Sequence, residues 1–218
     1  MQELTIVTGM VLKSEPIGEY DRRVVLLTKE RGKISAFAKG ARKQGNRLMA
    51  STNPFSFGEF KLFEGRNSYS INDALISNYF EGMREDFDAA CYGMYFLELI
   101  DYYTRENNDE VMMLKLLYQS VRTLLNPVVN KKLIKCVFEI KALVLNGEYP
   151  GAPAIPGREA PNDSTLYALD YIASSSIEKL YSFNVSDKVL DELTCICRIF
   201  SDKYIDRSFK SLEILGEL

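Results

Sequence analysis

Apolar positions in the first 80 residues fall in short β-rich runs, and after residue 82 they recur every third or fourth position instead. The runs Leu4 to Leu12, Val24 to Thr28, Ile34 to Ala38, Phe55 to Phe63 and Tyr69 to Leu75 read as strands. Turn signals at Pro16-Ile17-Gly18, Arg31-Gly32 and Glu64-Gly65-Arg66-Asn67 separate them. Five short strands predict a small barrel, because closure removes the unpaired edges that an open sheet of this size would expose. Residues 40 to 53 have no apolar period and hold Arg42, Lys43 and Arg47, which predicts an exposed connection between the third and fourth strands.

In the second part, Phe87, Cys91 and Met94 fall on one helical face, as do Leu114, Leu117, Val121 and Leu124, and then Leu133, Val137, Ile140 and Val144. Pro127 disfavours helical backbone at Asn126, and Gly147 is placed to cap the helix that follows. Residues 147 to 163 carry Pro150, Pro153, Pro156 and Pro161 among glycines and read as a loop. Two further helical patterns come after it, the last running through Leu193, Ile196, Phe200 and Tyr204 with Ser186 as its expected N-cap. The expected fold class is α+β, with a barrel domain over residues 1–80 and an all-helical domain over 81–218.

Composition supports a globular chain: 46% of the 218 residues are apolar and 26% charged. Met1-Gln2-Glu3 lacks the cationic and apolar regions of a leader, and no stretch approaches the roughly 20 apolar residues of a membrane span, so a cytoplasmic location is expected. Cys91, Cys136, Cys195 and Cys197 sit in apolar helical patterns, as buried reduced thiols do.

Charge changes the picture. Residues 1 to 80 hold 12 Lys and Arg against 8 Asp and Glu, whereas the rest of the chain holds 15 against 22. A locally positive segment on an acidic molecule fits a phosphate-binding surface, although from charge alone a solvated face is the commoner meaning. Alternation in residues 33 to 39 puts Lys33, Ser35, Phe37 and Lys39 on one side and Ile34, Ala36 and Ala38 on the other. Cations and a ring would then share a surface on which bases stack while the phosphate backbone is neutralised. A bulge near Gly40 would turn Phe37 into the core instead, and the pattern leaves both placements open.

Enzymatic readings find little support. The chain has no histidine, the commonest general base. Asp21 and Asp73 stand near turns as isolated carboxylates, where turn formation is the usual role. No Gly-Lys-Ser/Thr phosphate loop is present, and Cys195-x-Cys197 lacks the further ligands a metal site needs.

The motifs Gly18-Glu19-Tyr20-Asp21-Arg22, Thr28 to Gly32, Ala38-Lys39-Gly40-Ala41-Arg42 and Pro54-Phe55, followed by Leu145-Asn146-Gly147-Glu148-Tyr149-Pro150, resemble the bacterial recombination mediator family RecO. The resemblance implies an OB-fold barrel followed by a helical domain. It also implies a non-enzymatic protein that binds and anneals single-stranded DNA and works with RecR. Such a protein would help to load RecA onto DNA covered by single-strand binding protein. On this basis Arg22, Arg23, Lys39, Arg42, Lys43 and Arg47 are expected at the DNA backbone, beside the Lys33 and Phe37 platform. Many relatives carry a four-cysteine zinc module after the Gly-x-x-Pro turn. Residues 147 to 161 here hold no cysteine, so neither that module nor any other cofactor is expected.

The family is also expected to receive the acidic, apolar tail of single-strand binding protein, which requires cations beside an apolar groove. Lys131, Lys132 and Lys135 next to an apolar stripe, with Arg122 one helix earlier, are the candidates. Cations at a helix start oppose its dipole, so these lysines either begin a solvated face or serve binding, and the sequence leaves both open.

Overall fold

A computed structural model of the chain describes residues 4–65, 68–157 and 160–216. Five strands, β1 (Leu4–Ile17), β2 (Asp21–Thr28), β3 (Gly32–Ala38), β4 (Phe57–Glu64) and β5 (Tyr69–Asn78), close into a barrel in the order β1-β2-β3-β5-β4. This is an OB-fold. Neighbours pair antiparallel except β3 and β5, which run parallel and meet only where Ala36 and Phe37 face Tyr69 and Ser70. Inward positions Val7, Val24, Leu26, Ile34, Ala36, Phe60, Leu62 and Ile71 fill the interior. Burying one such aliphatic or aromatic side chain contributes roughly 1.5–3 kcal/mol.

Four of the five strands run longer than the sequence pattern predicts, whereas β4 starts at Phe57, two residues later than expected. β1 continues through Pro16 and Ile17, and the turn falls at Gly18–Tyr20 instead. A register shift between Val11 and Lys13 bends the strand there, and pairing with β4 ends at Met10, so residues 13 to 17 have β2 alone as partner. Proline costs no ladder bond on such an edge. The connection over residues 40 to 53 is not wholly exposed as expected. It contains a short helix, α1 (Leu48–Ser51), and Ala41 and Leu48 enter the barrel core. Of the turn expected at 64 to 67, Arg66 and Asn67 lie outside the described residues.

Two helices follow, α2 (Phe87–Tyr103) and α3 (Val111–Leu124). The chain forms two compact units. One comprises Met1–Gly82 with Leu97–Tyr118, and the other Met83–Phe96 with Gln119–Leu218. Within the first, Lys33 Nζ lies 2.9 Å from Asp101 Oδ1, Asn107 N donates to the Arg31 carbonyl, and Gly32 bridges Glu106. Tyr118 packs on Phe57 and Phe80 with ring centroids 4.6 and 5.4 Å away.

The second unit is built on α4 (Lys131–Leu145), α5 (Asp163–Ser174), α6 (Asp187–Tyr204) and α7 (Lys210–Leu215). The predicted stripes of α3, α4 and α6 are buried except for the half-buried Val144 and Tyr204 at the helix ends, whereas Phe87 and Met94 of the α2 stripe are exposed. From Ala89 to Ile100 nearly every large apolar side chain of α2 is buried, so no single stripe marks its inner face. Asn130 N-caps α4 by accepting from Lys132 N. Gly147, at φ 77°, ends α4, with Glu148 N donating to Leu143 O and Gly147 N to Val144 O. Ser186 stands at the start of α6 but its side chain makes no cap bond there. Instead Glu192 of α6 reaches the start of α5, accepting from Asn162 N, Asn162 Nδ2 and Thr165 Oγ1. The four cysteines are free thiols, with Cys91, Cys136 and Cys197 buried.

Tyr181 gives this unit a pH dependence. Its hydroxyl shares a 2.5 Å hydrogen bond with Ser120 Oγ, and burial pushes it well above its ordinary value of 10.0. Above that pH the unfolded chain releases a proton that the folded chain keeps, so stability falls with rising pH by about 1.4 kcal/mol per unit from this group. Thermal melts between pH 9 and 11 should therefore decline less steeply for Tyr181→Phe than for the parent. Equal slopes would contradict the assignment.

Candidate nucleic-acid interface

The β3 alternation continues unbroken to Ala38, and Ile34, Ala36 and Ala38 point inward. Phe37 therefore lies half-buried on the outer side, opposite Arg23 of β2 in the antiparallel register. Arg23 is exposed and donates through Nε to Ser35 Oγ at 2.9 Å. Lys39 follows as an exposed residue beyond the strand end.

The loop after β3 folds back on the β1–β2 turn. Arg42 N donates to Tyr20 O at 2.8 Å, and Arg42 Nη1 reaches the Gly18 and Glu19 carbonyls. Lys43 Nζ stands 5.0 Å from the centroid of the exposed Tyr20 ring. A hydrogen bond with Glu19 raises the Tyr20 hydroxyl, which keeps that ring neutral. Asp21 pins the return by accepting from Gly40 N at 2.7 Å, so this carboxylate is a turn-former. Arg23, Lys39, Arg42 and Lys43 thus share one end of the barrel with Phe37 and Tyr20.

Other expected residues are held by their own fold. Arg22 Nη1 donates to Met49 O, Thr52 Oγ1 and Asn53 Oδ1 within 3.0 Å and so anchors the segment around α1. Lys33 is taken by Asp101. Arg47, though exposed, donates to Asn72 O and lies 3.4 Å from Asp73 Oδ1. Asp73 also faces Lys61 and accepts from Ala74 N. Among the described residues no group of three or more His, Cys, Asp or Glu is arranged to hold a metal ion, and no helix is long and apolar enough to cross a membrane.

Comparison with known proteins decides the family. The family model described as Recombination protein O N terminal matches residues 1–80, and the one described as Recombination protein O C terminal matches residues 84–152. The chain belongs to the RecO family. The DNA repair protein RecO of Acetivibrio thermocellus is 27% identical over 240 residues, covering 97% of this chain and 96% of the relative. That of Clostridium novyi is 28% identical, covering 96% and 93%. That of Bacillus subtilis is 31% identical over a shorter stretch, 67% of this chain and 57% of the relative. The chain is thus a member of a DNA repair and recombination family.

In this RecO-family chain the four expected partner-binding cations do not form one cluster. Lys131 Nζ is 2.8 Å from Asp86 Oδ2, and that ammonium with the Ala89 amide holds the Asp86 carboxyl below its ordinary value. Lys135 is buried, 3.3 Å from Glu139 Oε1 and over the Tyr95 ring. Lys132 is exposed on the rim of a cleft of about 410 Å³ between α4 and α6, which Lys135 also lines. Arg122, exposed on α3, does not line it. Arg198 does, beside Leu190 and Leu212, and so do Glu139, Asp191 and Asp202. Sequence reading missed Arg198 because only the apolar stripe of α6 was informative there.

Proposed function

We propose that this chain is a non-enzymatic recombination mediator that binds and anneals single-stranded DNA on the outer face of its barrel. In this reading it works with RecR to help load RecA onto DNA covered by single-strand binding protein, in the bacterial cytoplasm at the nucleoid. The observation that carries the DNA-binding reading is the shared barrel end of Arg23, Lys39, Arg42 and Lys43 with Phe37 and Tyr20. Rings stack bases with little regard to sequence, and the cations release counterions as they neutralise phosphate. OB-fold barrels bind oligonucleotides through the face of the second and third strands and the neighbouring loops, where these residues stand. Titrating a labelled oligonucleotide at two salt concentrations tests the reading. Affinity should fall steeply with salt, and a flat response would favour an adaptor that binds protein instead.

Residues 1–80 hold the DNA in this proposal, and residues 81–218 dock proteins. The cleft between α4 and α6 offers Lys132 and Arg198 beside Leu190 and Leu212 to the acidic, apolar tail of single-strand binding protein. The carboxylates in the same cleft limit its net positive field. Reversing both cations with Lys132→Glu and Arg198→Glu should abolish binding of a tail peptide and leave naked single-strand binding intact. If both activities fell together, or neither did, the division of labour would be wrong.

A further inference from the structure

β3 and β5 touch only at Ala36–Phe37, so the earlier part of β3 diverges from its neighbour. A pocket of about 330 Å³ opens beside that divergence, lined by Arg31, Ser35, Glu64, Tyr69, Glu106 and Asn107 together with Gly65 and Ser68. This volume accommodates a single nucleobase. Three observations define its chemistry. Tyr69, on the pocket wall, is only 8% exposed. Burial together with Glu64 raises its hydroxyl, so at neutral pH it keeps its proton and can both donate and accept. Glu64 and Glu106 bring acceptors, with Arg31 3.4 Å from Glu64 as the cation.

Two carboxylates and one guanidinium do not suit a phosphate. They suit a ring edge that presents adjacent N–H donors beside an acceptor. Of the four DNA bases only guanine offers two neighbouring donors, N1–H and the N2 amino group, to the two oxygens of one carboxylate, with O6 left for Arg31 or Tyr69. The pocket is continuous with the proposed DNA face, because Ser35 in its wall accepts from Arg23.

We infer that this pocket receives one unstacked guanine from the bound strand, with Glu64 reading N1–H and N2 and the Tyr69 hydroxyl and Arg31 serving O6. The inference rests on the DNA-binding reading above and adds base preference to it. A well-made bidentate contact discriminates between bases by roughly fivefold to a hundredfold.

The test uses the full chain and fluorescence anisotropy with three labelled oligonucleotides: all thymine, thymine with one central guanine, and the same with hypoxanthine in place of guanine. The guanine strand should bind at least about fivefold tighter than all thymine, with hypoxanthine between them because it lacks the N2 amino group. Glu64→Gln should bring guanine down to the thymine level while thymine binding stays unchanged. Because Glu64 pairs with Tyr69 across the strands, Glu106→Gln on an exposed residue provides a second variant, expected to weaken the preference without affecting the melting temperature. Equal affinity for thymine and guanine strands, with normal salt dependence, would overturn the pocket and leave the DNA face standing. Absence of salt-sensitive binding to any strand would overturn both.

Discussion

Replacing Arg42 and Lys43 together by Glu should weaken single-strand binding at least about tenfold and lower the log–log salt slope by roughly 1.4, since each phosphate contact to a single strand contributes about 0.7. Both side chains are exposed, and neither forms an ion pair among the described residues. Arg42 nonetheless touches the Gly18 and Glu19 carbonyls, so the double variant can loosen the β1–β2 turn. Melting temperature separates the two effects. A preserved melt with the predicted loss of slope places phosphate at this end of the barrel, and an unchanged slope moves it elsewhere. Arg22→Ala provides the contrast, because its three bonds hold the α1 segment and its loss should appear first in stability.

The largest loss of stability is expected at Gly58. Gly9 and Gly58 face each other across β1 and β4. A β-carbon on Gly58 would meet the Leu75 carbonyl oxygen at 2.2 Å, and one on Gly9 the Leu27 carbonyl oxygen at 2.3 Å. Backbone of the neighbouring strands occupies that space, so no side-chain rotation relieves the clash, and β5 must move away from β4. Gly58→Ala should cost about 4 kcal/mol or more and abolish a cooperative melt of the barrel unit, measured by circular dichroism. A melting temperature within a few degrees of the parent would mean that β4 and β5 are spaced more widely than described.

The barrel is legible in the sequence where side chains alternate without interruption. Ile34, Ala36 and Ala38 declare the inner side of β3, whereas Phe37 is outward only because the strand runs to Ala38 without a bulge, which the sequence left open. Legibility fails where one residue acts through a distant partner. Lys33 reads as a surface cation until the chain returns 68 residues later with Asp101. Arg22 meets its acceptors 27 to 31 residues away, in a stretch where Ala41, Leu48, Ser51 and Thr52 are buried with no period to announce it. The face of α2 is equally hidden, since nearly every large apolar side chain from Ala89 to Ile100 is buried and no single stripe stands out. Lys131 and Lys135 show the same limit from the other side. Their spacing beside an apolar stripe fits a receptor, yet Asp86 and Glu139 engage them.

The discontinuous first unit has a consequence during synthesis. Its strands are complete once Gly82 has been made, but Asp101, Glu106, Asn107 and Tyr118, which hold Lys33, Gly32, Arg31, Phe57 and Phe80, are still untranslated. At about 5–20 residues per second the ribosome needs a few seconds to supply them. Through that interval the nascent barrel shows Phe57 and Phe80 uncovered, and a stalled or truncated chain ending near residue 96 would keep them so, as a ready substrate for chaperones and proteases.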